Sequence, residues 1–351
     1  VSAPDPLDPL DPSAPLLRVE GLVKHFPIFK GFFRRQVGSV RAVDGLSFDL
    51  ARGQTVAMVG ESGCGKTTAG RAILRLVEPD AGHVYFRGHD LPAAPPETLR
   101  ALRRHMQIIF QDPFSSLNPR QTIAQIVGRP LQLHGLAATE AEAEAQVKTL
   151  MEKVGLQASY STRYPHEFSG GQRQRIGIAR AVALRPDFIV CDEAVSALDV
   201  SVQAQVLNLL LDLKEELGLS YLFITHDLGV VKHLADEVVV LYLGQLCERT
   251  TTKALFSAPR HPYTQALLSA VPHPEPGRAR KRVILRGDVP SPIAPPSGCR
   301  FHTRCPLAHP RCAAEAPAEH TVAPGHVVRC HLYDGNSAPV DILAGAPNGG
   351  R

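Results

Sequence analysis

The chain has no run of the ~18–20 consecutive apolar residues that crossing a bilayer requires; apolar stretches such as 188–191, 221–225 and 238–243 stop after a handful of residues. A basic segment followed by an apolar one is missing from its start, which reads VSAPDPLDPLDPSAPLL, so no secretory leader and a cytoplasmic location are expected. Long blocks of one charge are absent too. The 38 Lys and Arg residues stand against 34 Asp and Glu, net +4, and are spread along the chain, which gives no reason to expect nucleic acid as a partner. None of the seven cysteines forms the tight C-x₂-C pair of a zinc ribbon. What is present, 351 residues of which 44% are apolar and 21% charged, is enough to bury a sizeable core and excludes disorder of the whole.

Repeated Asp-Pro removes backbone donors over residues 1–14, and the segment reads as a disordered arm. Apolar residues alternate from Leu17 to about Leu50, which suits short antiparallel strands. TVAMVG follows, a buried strand running into a Gly-rich turn and a helix expected over 67–76. Residues 97–160 read mostly as helix, an inserted layer, with the helical subdomain placed at about 112–175. Helix and strand then alternate (171–184, 188–191, 202–217, 221–225, 228–235, 237–242), which implies a parallel sheet with crossovers. The fold class expected is therefore α/β: one nucleotide-sized domain over 15–254, with an antiparallel β subdomain and the inserted helices. A small cysteine-rich domain over 255–335, held by its cysteines because so short a Pro-rich piece buries little core, and a flexible tail at 336–351 complete the reading.

Gly60, Glu61, Ser62, Gly63, Cys64, Gly65, Lys66 and Thr67 fit G-x-x-x-x-G-K-[ST] between a predicted strand and a predicted helix, with Thr68 behind them. The glycines let backbone N–H groups converge on phosphate oxygens, Lys66 adds a point charge and the Thr67 hydroxyl suits Mg²⁺. Cys64 reads as a small residue, not a sensor. The run FIVCDE delivers two carboxylates at a strand end, Asp192 on the metal side and Glu193 as the base that polarises water. Ser169, Gly170, Gly171 and Gln172 stand at a helix N-terminus, where N–H donors and the positive end of the helix dipole make a second anion site.

These motifs and their order resemble the ATPases of ABC transporters: Phe168-Ser169-Gly170-Gly171-Gln172 is similar to their signature sequence. Gln111 in IIFQDP looks like the Q-loop, a nucleotide sensor that also touches Mg²⁺. Asp199 in SALD looks like the D-loop, His226 in FITHD the switch histidine, and Phe26 the aromatic that stacks on adenine. Phe168 in place of Leu and Ala194 in place of Pro depart from the common pattern; the second frees an N–H and relaxes the backbone beside the presumed base. Over about 15–335 the chain looks like the F-type ATPase of dipeptide and oligopeptide importers, on segments such as VGESGCGKTTAGRAILRLVEP, HPYTQALLSAVP and RGDVPSPIAPPSGCRFHTRCP. The resemblance implies ATP and Mg²⁺ as ligands and an ATP sandwich with a second, related ATPase. It also implies two membrane permeases fed by a substrate-binding protein, and a peripheral place on the cytoplasmic face of the membrane. The single signature itself supports a dimer, because its anion site needs another nucleotide to face. DPFSSLNPRQTIAQIVGRP is the segment expected to touch the permease. A soluble ABC ATPase without transport and a redox-gated ATPase are the alternatives; tandem cassettes or a long coiled-coil insertion, usual in the first, are not seen.

Cys299, Cys305, Cys312 and Cys330 crowd into C-x₅-C-x₆-C-x₁₇-C, which in a cytosolic chain reads as metal before disulfide. Spacing alone leaves tetrahedral Zn²⁺ or a [4Fe–4S] cluster open, with His302 and His331 able to substitute in a zinc site; free or disulfide-bonded thiols are a third reading. The resemblance implies the iron–sulfur cluster, as a structural staple. His261 and Tyr263 in HPYT read as turn and packing residues.

Overall fold

The computed structural model describes residues 14–33, 35–271, 283–335, 338, 340 and 342; nearly all of the expected arm and tail lie outside them. The alternating residues at the start build two long strands instead of several short ones. β1 (Leu17–Lys30) and β2 (Arg35–Leu50) pair antiparallel from Leu17 opposite Leu50 to Lys30 opposite Arg35. Next come β3 (Thr55–Val59), the phosphate-loop turn and α1 (Lys66–Ile73). β4 (Ala81–Phe86) and β5 (His89–Asp90) return to join β1, giving a four-stranded antiparallel sheet ordered β2-β1-β4-β5. Leu17, Val19, Leu22, Phe48 and Leu50 turn its inner face onto α1 and form one core with Ala69, Ile73 and Met58.

After α2 (Pro96–His105) the chain enters β6 (Met106–Ile109), a parallel edge strand beside β7. Residues 97–160 are mostly helix, as expected, but β6 interrupts them: four residues are too few to show a period of two. The helical layer follows as α3 (Pro113–Ser116), α4 (Ile123–Leu133) and α5 (Glu140–Lys153). α4 is opened by a capping box in which Thr122 and Gln125 each satisfy the other's backbone N–H. Ile126, Val127 and Leu131 of α4 share a core with Val147 and Met151 of α5 and with Ile176.

The chain then alternates α6 (Gly170–Val182), β7 (Phe188–Asp192), α7 (Val200–Leu217), β8 (Ser220–Thr225), α8 (Leu228–Leu234) and β9 (Glu237–Tyr242). β3, β7 and β8 are buried at every residue, as strands covered on both faces must be. β10 (Gln245–Thr251) turns back antiparallel on β9; α9 (Thr252–Ser257), α10 (Pro262–Ser269), α11 (Pro310–Ala314), β11 (Glu319–Ala323) and β12 (His326–Arg329) complete the chain.

The eight-stranded sheet runs β11-β12-β10-β9-β3-β8-β7-β6. The C-terminal region is thus part of the main body, not a domain held by its own cysteines. Its hairpin extends the main sheet at β10, and Tyr263 and Phe301 enter the core that holds Val59, Val240 and Tyr242. The three rings of Tyr242, Tyr263 and Phe301 lie within 4.8–5.4 Å of one another. Apolar burial shared with the sheet supplies the core that a free-standing piece of this length lacks.

Candidate nucleotide site

Gly60 to Thr67 wrap the carboxyl end of β3, where a central parallel strand delivers ligands to a crevice. Two close approaches explain the glycines. A Cβ on Gly65, whose φ is +104°, would lie 1.9 Å from the Ala42 carbonyl oxygen; one on Gly60 would lie 2.2 Å from that of Leu241. No side chain fits there. The Lys66 ammonium, nearly buried, donates to the Gly60 and Glu61 carbonyls at 2.8 and 3.0 Å.

A cleft of about 310 Å³ opens over the loop, lined by Ser62, Gly63, Gly65, Lys66, Thr67 and Thr68 with Gln111 and Glu193 on one side and Phe26, Val40, Ala42 and Pro292 on the other. Val40, Ala42 and Pro292 were not singled out in the sequence, since a wall of small apolar residues has no chemical signature. Pro292 arrives from the C-terminal region, its carbonyl accepting the Arg41 N–H at 3.1 Å. Phe26 is 39% exposed, a ring open to a stacking partner. Cys64 and Glu61 do not face the cleft. Burial raises the Cys64 thiol above its ordinary range, against the pull of Lys66, which leaves it unreactive.

Thr67 Oγ1 donates to Asp192 Oδ1 at 2.7 Å across the end of β7. Asp192 is 1% exposed and its Oδ2 has no hydrogen-bond partner, with the Arg71 guanidinium 3.8 Å away. Burial holds the carboxyl above its usual range, partly offset by Thr67 and Arg71. An orphaned carboxylate oxygen beside a hydroxyl is a donor set that fits Mg²⁺.

Glu193 sits one residue further at φ +46°, a left-handed turn uncommon outside Gly and Asn, held by its N–H on the Ile224 carbonyl at 3.0 Å. Its carboxylate receives Gln111 Nε2 at 2.8 Å, and His226 Nδ1 stands 3.6 Å from the other oxygen. Gln111, Glu193 and His226, 115 residues apart at the extremes (226 − 111), are brought to one point. Ala194, in place of the usual Pro, buries its methyl in the helical core.

Ser169, Gly170, Gly171, Gln172 and Asp199 are not brought to this cleft. Ser169 caps α6: its Oγ accepts the Gln172 N–H, and Gln172 Oε1 accepts the Ser169 N–H. A Cβ on Gly170 would meet nothing within 4 Å, whereas one on Gly171 would lie 2.5 Å from Val202 Cγ1 of α7. Asp199 is the N-cap residue of α7 without a side-chain cap bond.

Cys299, Cys305, Cys312 and Cys330 line one small cavity with His302 and His331. Among the described residues no group of three or more His, Cys, Asp or Glu stands in metal-holding geometry, so this arrangement lends the expected iron–sulfur cluster no support. Burial pushes the Cys305 and Cys330 thiols up to about 12. His302 Nδ1 lies 2.8 Å from the Cys299 carbonyl oxygen, whereas both ring nitrogens of His331 are engaged, by Asp334 and the Glu315 carbonyl. No described helix is long and apolar enough to cross a membrane.

Residues 43–196 match the family model described as ABC transporter, and residues 247–312 the one described as oligopeptide/dipeptide transporter, C-terminal region. The oligopeptide transport ATP-binding protein AppF of Bacillus subtilis is 52% identical over 91% of this chain and 97% of its own length. The probable peptide ABC transporter ATP-binding protein y4tS of Sinorhizobium fredii is 52% identical over 90% of each. Among solved structures, the dimeric post-hydrolysis state of the ATP-binding cassette MJ0796 bound to ADP and Pi superposes with a TM-score of 0.60 at 25% identity, covering 67% of this chain and 98% of that one.

Proposed function

The chain belongs to the ATP-binding subunits of oligopeptide and dipeptide ABC transporters, and on that premise we propose how its residues serve peptide import. The chain is the ATPase of such an importer, and the convergence of Gln111, Glu193 and His226 on the phosphate-loop cleft carries the reading of its chemistry. Phe26 stacks on the adenine, the 60–68 loop cradles the phosphates, and Lys66 leaves its carbonyl partners to meet them. Thr67, Asp192 and Gln111 would hold Mg²⁺, which when bound neutralises charge on the terminal phosphates. Glu193 accepts the proton of the attacking water, and His226 steadies the charge that develops on its far side.

The α6 N-terminus formed by Ser169, Gly170, Gly171 and Gln172, open at Ser169 and Gly170, serves the nucleotide of a second, related ATPase. A dimer closed over two nucleotides is the two-state element, and its ATP-bound form is favoured by contacts that only the γ-phosphate makes. The dimeric cassette supports pairing and the oligopeptide-transport relative supports service in a transporter; assembly with two permeases at the cytoplasmic face of the membrane is part of the proposal. A groove of about 480 Å³ lined by Gln121, Gln125, Arg129 and Gln132 of the α4 region and by Glu140 and Glu144 of α5 is the surface offered to the permease.

The four cysteines that line one cavity are by residue type a donor set for a [4Fe–4S] cluster or Zn²⁺, whose binding would have to draw them together and displace their protons. Purification of the tagged chain from its native membrane, with subunit identification and iron, sulfide and zinc assays on the same sample, tests the assembly and the metal together. Two permeases, a second ATPase and about four iron atoms are expected. A soluble homodimer with zinc would leave only the ATPase chemistry. Lys66→Ala should lose nucleotide affinity in either case.

A further inference from the structure

Glu61, the second residue of the phosphate loop, turns away from the cleft into the C-terminal region. Its carboxylate receives the Arg304 guanidinium in a two-pronged ion pair, Nη1 to Oε2 at 2.7 Å and Nη2 to Oε1 at 3.2 Å. Its N–H donates to the hydroxyl of Tyr263 at 2.9 Å. Tyr263 is fully buried and the Arg304 side chain is 9% exposed. A parallel brace runs through Arg300, which donates to the Leu243 carbonyl and to Asp44; the next residue, Gly244, donates its N–H to the Cys64 carbonyl at 2.8 Å. Glu61 is therefore gripped by side chains some 200 residues further along, and Cys64 by the backbone N–H of Gly244, whose neighbour Leu243 is held by Arg300.

We propose that Arg304 and Tyr263 are positioning residues for ATP: the C-terminal region is the outer wall of the phosphate loop and sets its affinity for nucleotide. The inference rests on the loop being the nucleotide site. A loop whose N–H groups are already converged gives up less freedom on binding, and bidentate Arg–carboxylate geometry is the arrangement that fixes orientation. The pair has a second effect. Arg304 neutralises a carboxylate that lies within the phosphate loop itself, where an unpaired negative charge would oppose ATP. Neither residue touches the nucleotide cleft, so their action runs through Glu61.

The test compares the full-length chain with Arg304→Met, Tyr263→Phe, Glu61→Gln and the Glu61→Gln/Arg304→Met pair. A fluorescent ATP analogue gives Kd, steady-state hydrolysis gives KM and kcat, and thermal melting reports the fold. Arg304→Met should raise Kd and KM about five- to tenfold with a smaller change in kcat, the pattern of lost ground-state binding. Tyr263→Phe, which removes one oxygen, should raise both about threefold. Adding Arg304→Met to Glu61→Gln should then change Kd by less than about twofold, since the partner is already gone. If Arg304→Met fails to fold, Tyr263→Phe decides. Wild-type protein that binds no ATP would remove the functional reading itself. Tight wild-type binding with unchanged Kd in folded Arg304→Met and Tyr263→Phe would overturn only this inference, as would equal losses from Arg304→Met with and without Glu61→Gln.

Discussion

Gln111 Nε2 donates to Glu193 Oε2 at 2.8 Å, so the residue at the head of the helical layer and the carboxylate at the end of β7 are joined by one hydrogen bond. Any nucleotide contact that draws Gln111 away releases a carboxylate oxygen for water. The bond thereby links entry into the helical subdomain, which begins directly after Gln111, to the readiness of the proposed base.

Glu193→Gln should keep the left-handed turn and the bond from Gln111 while losing the proton acceptor. ATP binding should be retained and turnover should fall by ~10²–10⁴-fold, the range for removing a general base. Single-turnover hydrolysis with trapped nucleotide measures this, and size exclusion should show an ATP-stabilised dimer. Rapid hydrolysis by the variant would assign the base elsewhere.

The two glycines of the signature should behave oppositely. Gly171 faces Val202 at a distance no Cβ tolerates, 2.5 Å, so Gly171→Ala should destabilise the α6–α7 contact by about 1–3 kcal/mol. Gly170 has open space before it, so Gly170→Ala should melt like the wild type yet hinder the nucleotide of the partner subunit. Melting curves and ATP-dependent dimerisation separate the two. A Gly170→Ala variant that dimerises and hydrolyses normally would argue against that face as the second anion site.

Much of this site shows in the sequence because its chemistry is local. A four-residue apolar run leading into Gly60 and on to Lys66, another ending in Asp192-Glu193, and a Ser-Gly-Gly before a helix each need only neighbours to be recognised. What the sequence hides is what depends on distant partners. β6 is too short to display a period, and β12 finds β10 across 78 residues in the buried pair of Glu248 and His326, 2.7 Å apart. Tyr263 reads as packing, and its ring does pack against Tyr242 and Phe301, but its hydroxyl also accepts the Glu61 N–H. No spacing rule announces Arg304, whose partner lies 243 positions earlier.

His261 gives a dependence on pH. It is 1% exposed, its Nδ1 accepts the Tyr263 N–H at 3.0 Å, and burial lowers its pKa from 6.5 to about 4 against the opposing pull of Glu248. Between those values the unfolded chain binds a proton that the folded one refuses, so stability rises with pH across the window. The contribution is present above about pH 6.5 and is lost as pH falls toward 4, on the order of 3 kcal/mol in all. His261→Asn, which keeps an acceptor but never titrates, should flatten that part of the stability profile in denaturant melts between pH 4 and 7. An unchanged slope would mean that another group carries it.

Asp192 should show a conflict between folding and function. Its buried Oδ2 has no hydrogen-bond partner, and a buried charge without a full set of partners lowers stability. Asp192→Asn removes the charge and leaves Oδ1 to receive Thr67, so without Mg²⁺ the variant should melt at or above the wild-type temperature. With Mg²⁺ and ATP the order should reverse. The wild type gains stability by mass action, reaching about 2.7 kcal/mol at a hundredfold excess over Kd, while the variant gains little and hydrolysis falls sharply. An equal Mg²⁺-dependent rise in both proteins would place the metal on other ligands and leave the orphaned oxygen without a role.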